Sequence, residues 1–318
     1  MWILILTAIV GYFVFDWLRR KFKITNITQK YVFITGCDSG FGHHLAQRLD
    51  GMGFHVIAAC LTIEGIETLK NKCSSRLKTV QLNVAHEEEI VRVVEHVKSL
   101  LSPDAGLWAV VNNAGIGGPV GYSECLSRAD YLECLNVNLF GVIDVTKACL
   151  PLIRKARGRV VNIASMFGRI SSIPAPYCIS KYGVEAYSDC LRREVYHQGI
   201  TVHILEPGFF HTDIINPESL MEKLQRYFSQ GSVEFQQFFG PQFLPKSRDL
   251  IVEVINKADS DIDKVVDAYV HAVSAKHPKY RYVVGNDAQV LARFLPTLPE
   301  WISDYVMCFQ NPKPQGAH

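Results

Sequence analysis

The sequence has almost no net charge, because 33 Lys and Arg residues are balanced by 31 Asp and Glu residues, which leaves a formal charge of +2. A protein that binds nucleic acid usually carries a clear basic excess, so we expect no nucleic acid partner. Charged residues make up only 20% of the chain and hydrophobic residues 48%, which excludes a disordered chain or a long coiled coil. The 318 residues are enough for one large globular domain with a substantial core.

The nine cysteines include no CxxC pair, and no Cys and His residues lie at the spacing of a zinc site. We therefore expect no metal in this protein. An odd number of scattered cysteines is typical of reduced, buried thiols in a chain that faces a reducing compartment.

One long hydrophobic run lies at the N-terminus. Trp2 to Phe15 carries no charge, and four basic residues follow between Arg19 and Lys23. A cleaved signal peptide has its basic residues before the apolar stretch, so this order favours a retained membrane anchor over residues 1–18. The alternative is a buried core helix, but the run has no polar face and would need a partner on every side. With an anchor, the positive-inside rule predicts a cytosolic domain.

From residue 31 onward, short apolar runs alternate with amphipathic stretches. This alternation indicates an α/β fold with a doubly wound parallel sheet of the Rossmann type. We predict one domain over residues 30–285 with an inserted substrate lid over about 213–260, and an apolar segment over 286–318 whose composition suits a membrane surface. The predicted strands are Tyr31–Thr35, Phe54–Cys60, Leu77–Leu82, Leu107–Asn112, Arg159–Ala164 and Thr201–Glu206, and the predicted helices are Gly42–Asp50, Glu64–Lys72, Glu87–Leu101, Tyr131–Arg157 and Ala186–His197.

A glycine-rich turn follows the first predicted strand and opens the first helix of the domain. Its sequence from Thr35 to Gly42 contains the spacing GxxxGxG. Glycines let the backbone approach a pyrophosphate, and a helix N-terminus offers unpaired N–H groups and a positive dipole. An ordinary tight turn is the alternative, but the position after a buried strand favours a dinucleotide site. The expected cofactor contacts in the turn are Thr35, Gly36, Asp38, Ser39, Gly40, Phe41 and Gly42.

The choice between NAD and NADP is usually made by a residue about 20 positions beyond such a turn. The segment Val56–Thr62 holds neither an acid for the ribose 2′-hydroxyl nor an arginine for a 2′-phosphate. Asp38 lies inside the turn, however, and its negative charge disfavours a further phosphate nearby. We therefore expect NAD as the cofactor.

Further motifs lie at later strand ends. The sequence NNAG follows a strand at 112–115, Ser165 ends another strand, and the YxxxK motif of Tyr177–Lys181 opens a helix. With the glycine-rich turn and Pro207-Gly208, this set resembles the short-chain dehydrogenase/reductases over residues 30–213. The resemblance implies the catalytic residues Asn138, Ser165, Tyr177 and Lys181. It also implies cofactor contacts from Asn83, Asn112, Ala114, Tyr177, Lys181, Pro207, Gly208 and Thr212.

The chemistry of the four catalytic candidates agrees with this resemblance. Tyr177 and Lys181 share one helix face, so the ammonium group can stabilise a phenolate whose ordinary pKa is about 10. Ser165 can hydrogen-bond the reacting oxygen as alkoxide character develops. In the family, the lysine also binds the nicotinamide ribose, and an asparagine on the central helix supports a water chain. Asn138 matches that asparagine, although for Asn138 alone a helix-packing amide is an equally good interpretation.

Within the family, the apolar N-terminus and the segment Ala58–Thr62 resemble the microsomal retinol and hydroxysteroid dehydrogenases. This resemblance implies NAD-dependent oxidation of retinol or of a 3α- or 17β-hydroxysteroid at the endoplasmic reticulum membrane. Seven phenylalanines between Phe209 and Phe243 predict an apolar wall for such a substrate, unless they only bury the lid. Relatives carry glycines before the catalytic tyrosine, whereas this chain has Ser172–Pro176, in which two prolines stiffen a loop that borders the substrate.

A hypothesis from a different class is a membrane-tethered nucleotide-binding scaffold or sensor without catalysis. The complete set of four catalytic residues argues against it, because a binding module has no need for all four. The partners we expect are a lipophilic small molecule and a membrane. The oligomeric state, a monomer or a homo-oligomer, stays open.

Overall fold

A parallel sheet of seven strands forms the centre of the computed structural model, which describes residues 1–317 apart from the side chains of residues 3 and 4. The strand order is β3-β2-β1-β4-β5-β6-β7, and all neighbouring pairs are parallel. This order confirms the predicted doubly wound fold, because the chain begins in the middle of the sheet and winds to each edge in turn. The strands are β1 (Tyr31–Thr35), β2 (His55–Cys60), β3 (Lys78–Gln81), β4 (Leu107–Asn112), β5 (Arg159–Ile163), β6 (Thr201–Pro207) and β7 (Arg281–Val284).

Helices flank both faces of this sheet. Their bounds are α1 (Trp2–Arg20), α2 (Gly40–Met52), α3 (Ile63–Lys72), α4 (Glu87–Ser99), α5 (Arg128–Leu135), α6 (Gly141–Ala156), α7 (Ala175–Glu194), α8 (Pro217–Gln230), α9 (Val233–Phe239), α10 (Phe243–Asn256), α11 (Asp263–Ser274), α12 (Asn286–Phe294) and α13 (Glu300–Cys308). Val32 and Ile34 of β1 pack with α2 and α11 on one face, whereas Phe33 packs with α4 and α6 on the other. The central strands β1, β2 and β4 are rich in hydrophobic residues because both of their faces are covered.

The six predicted strands all exist, and each of their ends differs from the prediction by at most one residue. Strand β7 was not predicted from the sequence, because it is only four residues long and begins with Arg281 instead of an apolar run. The predicted helix from Ala186 was too short, because α7 begins at Ala175. Pro174 and Pro176 flank its start, where proline fits since the first turn of a helix leaves its N–H groups unpaired.

The helix predicted over residues 131–157 is α5 joined to α6 through a π-helical segment, Asn136–Phe140. Within the described part of the chain, the continuous helix Arg128–Ala156 is the one with the length and apolar composition of a membrane span. It lies against the sheet, and Val145 and Cys149 on its inner face are fully buried. Its apolar character is therefore that of a core helix.

The predicted anchor, residues 1–18, lies in α1, whose large apolar side chains between Ile5 and Leu18 are exposed. The chain after this helix is held against the domain by backbone hydrogen bonds. The Ile24 N–H donates to the Ser274 carbonyl at 2.9 Å, and the Lys276 N–H donates to the Phe22 carbonyl at 2.7 Å. A structured junction therefore joins α1 to the end of α11.

The segment predicted as a substrate lid contains α8, α9 and α10. Phe228, Phe235, Phe239 and Phe243 pack together there with Cys125 from the loop after β4. These rings lie 4.6 to 6.0 Å apart, as in an aromatic cluster that fixes three short helices to one another.

Candidate active site

Two cavities meet at the carboxyl ends of the strands, where an open α/β sheet places its ligands. The first is a cleft of about 220 Å³ between the glycine-rich turn and the end of β6. The second, of about 420 Å³, lies between the end of β5, the lid and the C-terminal segment. Ser165 and Tyr177 line both cavities. A ligand in either cavity therefore reaches these two side chains.

The glycine-rich turn forms the floor of the first cleft. Gly36 has φ +69°, and a Cβ there would lie 2.6 Å from the Ala114 Cα atom. Gly40 has φ +59° and begins α2 after Ser39, whose side chain makes no capping hydrogen bond to the helix. The first N–H groups of α2 are thus available to a ligand, and with the helix dipole they favour an anion such as a pyrophosphate.

Hydrogen bonds from the next strand hold this turn in place. The Thr35 hydroxyl accepts from the N–H groups of Asn113 and Ala114, each at 3.1 Å. The Asn113 amide donates to the carbonyls of Thr35 at 3.1 Å and Gly36 at 2.8 Å. Asn112, by contrast, points into the core, where its amide donates to Thr146 and Asn162 at 2.8 Å each. Asn113, and not the predicted Asn112, therefore lines the cleft.

Asp38 lines the cleft, and its carboxylate is directed towards the end of β2. Its carboxylate accepts the N–H groups of Leu61 and Thr62 at 2.8 Å each and the Thr62 hydroxyl at 2.7 Å. The negative charge thus lies at the strand end where the family reads the ribose. Asn83 does not line this cleft, and its side-chain oxygen accepts the Ala85 N–H at 3.0 Å.

Most of the residues predicted from sequence meet at the first cleft. Those that line it are Gly36, Asp38, Ser39, Gly40, Phe41, Ala114, Ser165, Tyr177, Lys181, Pro207, Gly208 and Thr212. Thr35, Gly42, Asn112 and Asn138 support its walls from behind, and Asn83 lies beside it. The lining also contains residues outside the predicted set, namely Asn113, Gly115, Ile116, Ile163, Ala164, Phe210, Asp213, Ile214 and Ile215. The apolar residues among these carry no motif that sequence reading could have used.

The catalytic candidates come from two neighbouring elements. Ser165 follows β5, and its hydroxyl accepts the Phe167 N–H at 3.2 Å and lies 3.5 Å from the Pro207 carbonyl oxygen. Tyr177 lies in the first turn of α7 and is hydrogen-bonded to Ser165. Lys181, one turn later, is 3% exposed, and its Nζ atom lies 5.5 Å from the centre of the Tyr177 ring. That ammonium group donates to the Ile163 carbonyl at 3.2 Å.

Burial sets the protonation of this pair. It raises the pKa of Tyr177 to about 12, and the hydrogen bond from Ser165 offsets part of that rise. Burial also lowers the pKa of Lys181 to about 8. From the sequence we expected the lysine to lower the pKa of the tyrosine. In the protein alone, burial instead raises the pKa of Tyr177. Both groups favour their neutral forms more strongly than free side chains do.

Asn138 lies in the π-helical segment between α5 and α6 and is fully buried. Its amide donates to the Ile116 carbonyl at 2.9 Å and to the Ser180 hydroxyl at 3.1 Å, and its oxygen accepts the Ile116 N–H at 2.8 Å. A Cβ on Gly115 would lie 3.3 Å from that oxygen and 3.7 Å from Lys181 Nζ. Asn138 and the lysine therefore approach the same backbone wall of the cleft. π-helical insertions of this kind are frequent at functional sites.

The second cavity is lined mainly by apolar side chains. Of the seven phenylalanines predicted to form its wall, only Phe209 and Phe243 line it. Phe210 packs into the main core, and Phe228, Phe235 and Phe239 fix the lid, as in the alternative interpretation, whereas Phe238 is exposed. The loop Ser172–Pro174 does border the cavity, which agrees with the position expected from the sequence.

The lid contacts the glycine-rich turn at the opening of the first cleft. The Ser39 hydroxyl donates to the Asp213 carboxylate at 2.6 Å, beside Thr212 in the cleft wall. Ile214 and Ile215 line both cavities. The start of the lid thus separates the dinucleotide side of the site from the apolar side.

A glycine-rich anion site on one side of Ser165, Tyr177 and Lys181, with an apolar cavity on the other, defines a dinucleotide-dependent oxidoreductase. The chain belongs to the short-chain dehydrogenase family, because the sequence pattern of that family, described as short chain dehydrogenase, matches residues 30–223. Members of this family bind a nicotinamide dinucleotide.

Several relatives resemble the chain over its whole length. It is 43% identical to retinol dehydrogenase 7 of Rattus norvegicus and 42% identical to 17-beta-hydroxysteroid dehydrogenase type 6 of Homo sapiens, with 100% of both chains covered in each case. A short-chain dehydrogenase from Streptomyces avermitilis has a similar structure, with a TM-score of 0.69 at 25% identity over 87% of this chain and 96% of the other. The resemblance to retinol and hydroxysteroid dehydrogenases is thereby confirmed.

Proposed function

We propose that this protein oxidises a lipophilic alcohol, retinol or a 3α- or 17β-hydroxysteroid, with NAD as the hydride acceptor. The observation that carries this proposal is the meeting of a polar, glycine-lined cleft and an apolar cavity at Ser165 and Tyr177. The printed names of the full-length relatives, retinol dehydrogenase and 17-beta-hydroxysteroid dehydrogenase, support the same substrates. Nothing in these relatives supports the alternative of a silent scaffold.

The residues of the cleft fit a nicotinamide dinucleotide. The close approach of Gly36 to Ala114 and the uncapped N-terminus of α2 form a cradle for its pyrophosphate. Lys181 and Thr212 line the same cleft, and in this proposal Lys181 binds the nicotinamide ribose and Thr212 binds the carboxamide. When bound, the oxidised nicotinamide accepts the hydride from the substrate carbon.

NAD is favoured over NADP by the position of Asp38. Its carboxylate accepts three hydrogen bonds from Leu61 and Thr62 at the end of β2. A 2′-phosphate at this strand end would meet a fixed negative charge and no arginine. A ribose 2′-hydroxyl can instead donate to the carboxylate.

The chain's own residues handle the proton. Tyr177, as phenolate, takes the hydroxyl proton of the substrate while Ser165 hydrogen-bonds the same oxygen. Because burial raises the pKa of Tyr177 to about 12, the phenolate needs positive charge nearby, which the ammonium of Lys181 provides. Asn138 holds the backbone at Ile116 so that this charge stays beside the cleft.

Turnover over a panel of substrates tests the proposal. The full-length protein is assayed with NAD and with NADP against retinol, 3α-hydroxysteroids, 17β-hydroxysteroids and short water-soluble alcohols. We expect reduction of NAD with a retinoid or a steroid at a much higher kcat/KM than with the short alcohols. Binding of NAD without turnover of any alcohol would contradict catalysis and support the scaffold.

We also propose that the protein is held at the endoplasmic reticulum membrane by α1, with its domain in the cytosol. The exposed apolar side chains of this helix and the basic residues that follow support an anchor in that orientation. At the other end of the chain, Trp301, Tyr305 and Phe309 are spaced four residues apart and are exposed on and just after α13. Tryptophan and tyrosine favour membrane interfaces, so this stripe supports membrane contact by residues 286–318.

A glycosylation and protease experiment tests this orientation. An acceptor sequence for glycosylation is appended to the C-terminus, and sealed microsomes are treated with protease. A cytosolic domain predicts an unglycosylated tag and a digested domain. A glycosylated tag with a protected domain would place catalysis in the lumen.

A further inference from the structure

A cluster of charged residues lies directly behind the catalytic helix. Glu185 of α7 is 7% exposed and Glu206 of β6 is fully buried. Arg281 of β7 contacts both carboxylates, because one of its terminal nitrogens donates to Glu185 and also to Glu206 at 2.7 Å. Its other terminal nitrogen donates to Asp189 at 2.8 Å. One guanidinium group therefore joins the catalytic helix to the edge of the sheet.

One carboxylate belongs to the helix that carries two catalytic groups, and the other belongs to a strand that contacts a third. Glu185 lies one helical turn after Lys181 and two turns after Tyr177, on the same face of α7. Glu206 immediately precedes Pro207, whose carbonyl oxygen lies 3.5 Å from the Ser165 hydroxyl. The cluster thus links the helix that carries the tyrosine and the lysine to the strand that contacts the serine.

The turn that carries Ser165 packs on the same part of α7. A Cβ on Gly168 would lie 2.9 Å from the Glu185 Cγ atom and 2.9 Å from the Lys181 carbonyl oxygen. Glycine is therefore required where this turn crosses the helix between the lysine and the glutamate. Displacement of Glu185 would move the serine and the lysine relative to each other.

The cluster is not fully satisfied by hydrogen bonds, which points to a role beyond packing. One oxygen of Glu185 and one of Glu206 are buried without a partner. Unpartnered buried carboxylate oxygens are costly, so a purely structural pair would be more stable as well-packed apolar residues. A retained negative charge one turn from Lys181 instead favours the ammonium form of that lysine.

We propose that Glu185 is a positioning residue for the alcohol oxidation proposed above, which fixes Lys181 through the helix and keeps it protonated through its negative charge. Glu206 competes with Glu185 for Arg281, so the two carboxylates share the neutralisation that one guanidinium supplies. The pKa of Glu185 is raised to about 8 by burial and by Glu206, which agrees with this competition. The carboxylate therefore gains its charge in the same pH range in which Lys181, whose pKa is also about 8, loses its proton.

The direction in which each substitution shifts the pKa of Lys181 follows from the charged groups that face Glu185. The charged groups around Glu185 are Lys181 and Asp189 on α7, Glu206 on β6, Arg281 on β7 and Arg169 after the serine turn. Burial lowers the pKa of Lys181, and Cys134 of α5 and Glu185 both oppose this effect. Removal of the Glu185 charge leaves only Cys134 to oppose burial, so the lysine loses its proton at lower pH. When the Glu206 charge is removed, the positive charge of Arg281 neutralises Glu185 without competition from Glu206. Glu185 then ionises more readily, and the lysine keeps its proton to higher pH.

The test compares Glu185→Gln with Glu206→Gln in the full-length protein, with NAD and the best alcohol of the panel. We expect the alkaline limb of the pH profile of kcat/KM to move down by about one pH unit in Glu185→Gln and to stay or move up in Glu206→Gln. Glu95→Gln, an exposed change on α4, is the matched control and should leave the profile unchanged.

Thermal unfolding of each variant separates this role from a structural one. The inference is wrong if both variants only lower the Tm and their pH profiles superimpose on that of the wild type. It is also wrong if the alkaline limbs of the two variants move in the same direction. If Glu185→Gln does not fold, a downward shift in Glu206→Gln alone overturns it. Failure of the wild type to oxidise any alcohol would instead contradict the proposed function.

Discussion

The change Gly36→Ala tests the geometry of the glycine-rich turn. Gly36 has φ +69°, which costs an alanine about 1–2 kcal/mol. The added Cβ would also lie 2.6 Å from the Cα and 2.9 Å from the N atom of Ala114, and backbone atoms cannot rotate away. Forcing extra volume into such a position costs about 1–3 kcal/mol more. We therefore expect a total loss of about 2–5 kcal/mol in the free energy of unfolding.

The same change should weaken dinucleotide binding, because relief of the clash moves the turn away from Ala114 and changes the shape of the cradle. Urea unfolding measures the stability, and calorimetric titration measures the Kd for NAD. We expect the Kd of the folded variant to rise about tenfold or more, the equivalent of about 1.4 kcal/mol.

Gly51→Ala is the matched control in the helix that follows this turn. A Cβ on Gly51 meets no atom within 4 Å, and the residue is exposed. Alanine there should stabilise the protein by up to about 1 kcal/mol and leave the Kd for NAD unchanged. Equal, small effects of both changes would contradict the predicted clash between a Cβ on residue 36 and the backbone of Ala114.

Three further predictions concern specificity, the lid and pH. Asp38→Ala combined with Thr62→Arg should raise the ratio of NADP to NAD efficiency, measured as kcat/KM, since it removes a repulsive charge and supplies a phosphate partner; an unchanged ratio would place Asp38 away from the ribose. Phe243→Ala should lower the free energy of unfolding by about 3–5 kcal/mol, because it removes a buried ring that the lid cluster shares with the substrate cavity, and near-normal urea unfolding would contradict that packing. Burial lowers the pKa of His203 to about 3, which is below its value in the unfolded chain. The free energy of unfolding should therefore be independent of this histidine above pH ~6.5 and fall by up to about 1.4 kcal/mol per pH unit below it. His203→Gln should reduce that acid dependence in unfolding experiments.

Local motifs made much of the site predictable. The glycine-rich turn, Ser165 and the YxxxK motif each occupy a few adjacent residues, and the strand before them sets their position at the sheet edge. Because parallel strands end at the same edge, sequence order alone brings these motifs together.

Tertiary packing decided what the sequence could not. The phenylalanines of the lid have the same composition whether they line a cavity or pack together, and only the fold assigns Phe243 to both roles and Phe235 to the cluster. The orientation of Asp38 towards β2 depends on a strand pairing that no local pattern encodes. Arg281 and Glu185 are 96 positions apart in the chain, so their contact carries no local signal.

The pKa of Tyr177 shows a similar limit. Helical spacing places Lys181 beside the tyrosine, and from this we expected a lowered tyrosine pKa. Spacing says nothing of how deeply the pair is buried, and burial raises the pKa of Tyr177 to about 12. The pKa of Tyr177 in the protein alone therefore depends mainly on how deeply its side chain is buried.

The central claim is that Tyr177 transfers the substrate proton beside a bound NAD. The most direct measurement is the turnover and the NAD affinity of Tyr177→Phe, with Tyr182→Phe, an exposed position on the same helix, as the matched control. We expect Tyr177→Phe to bind NAD with nearly the wild-type Kd and to lose turnover of the retinoid or steroid, whereas Tyr182→Phe keeps both. Near-normal turnover by Tyr177→Phe would contradict the account.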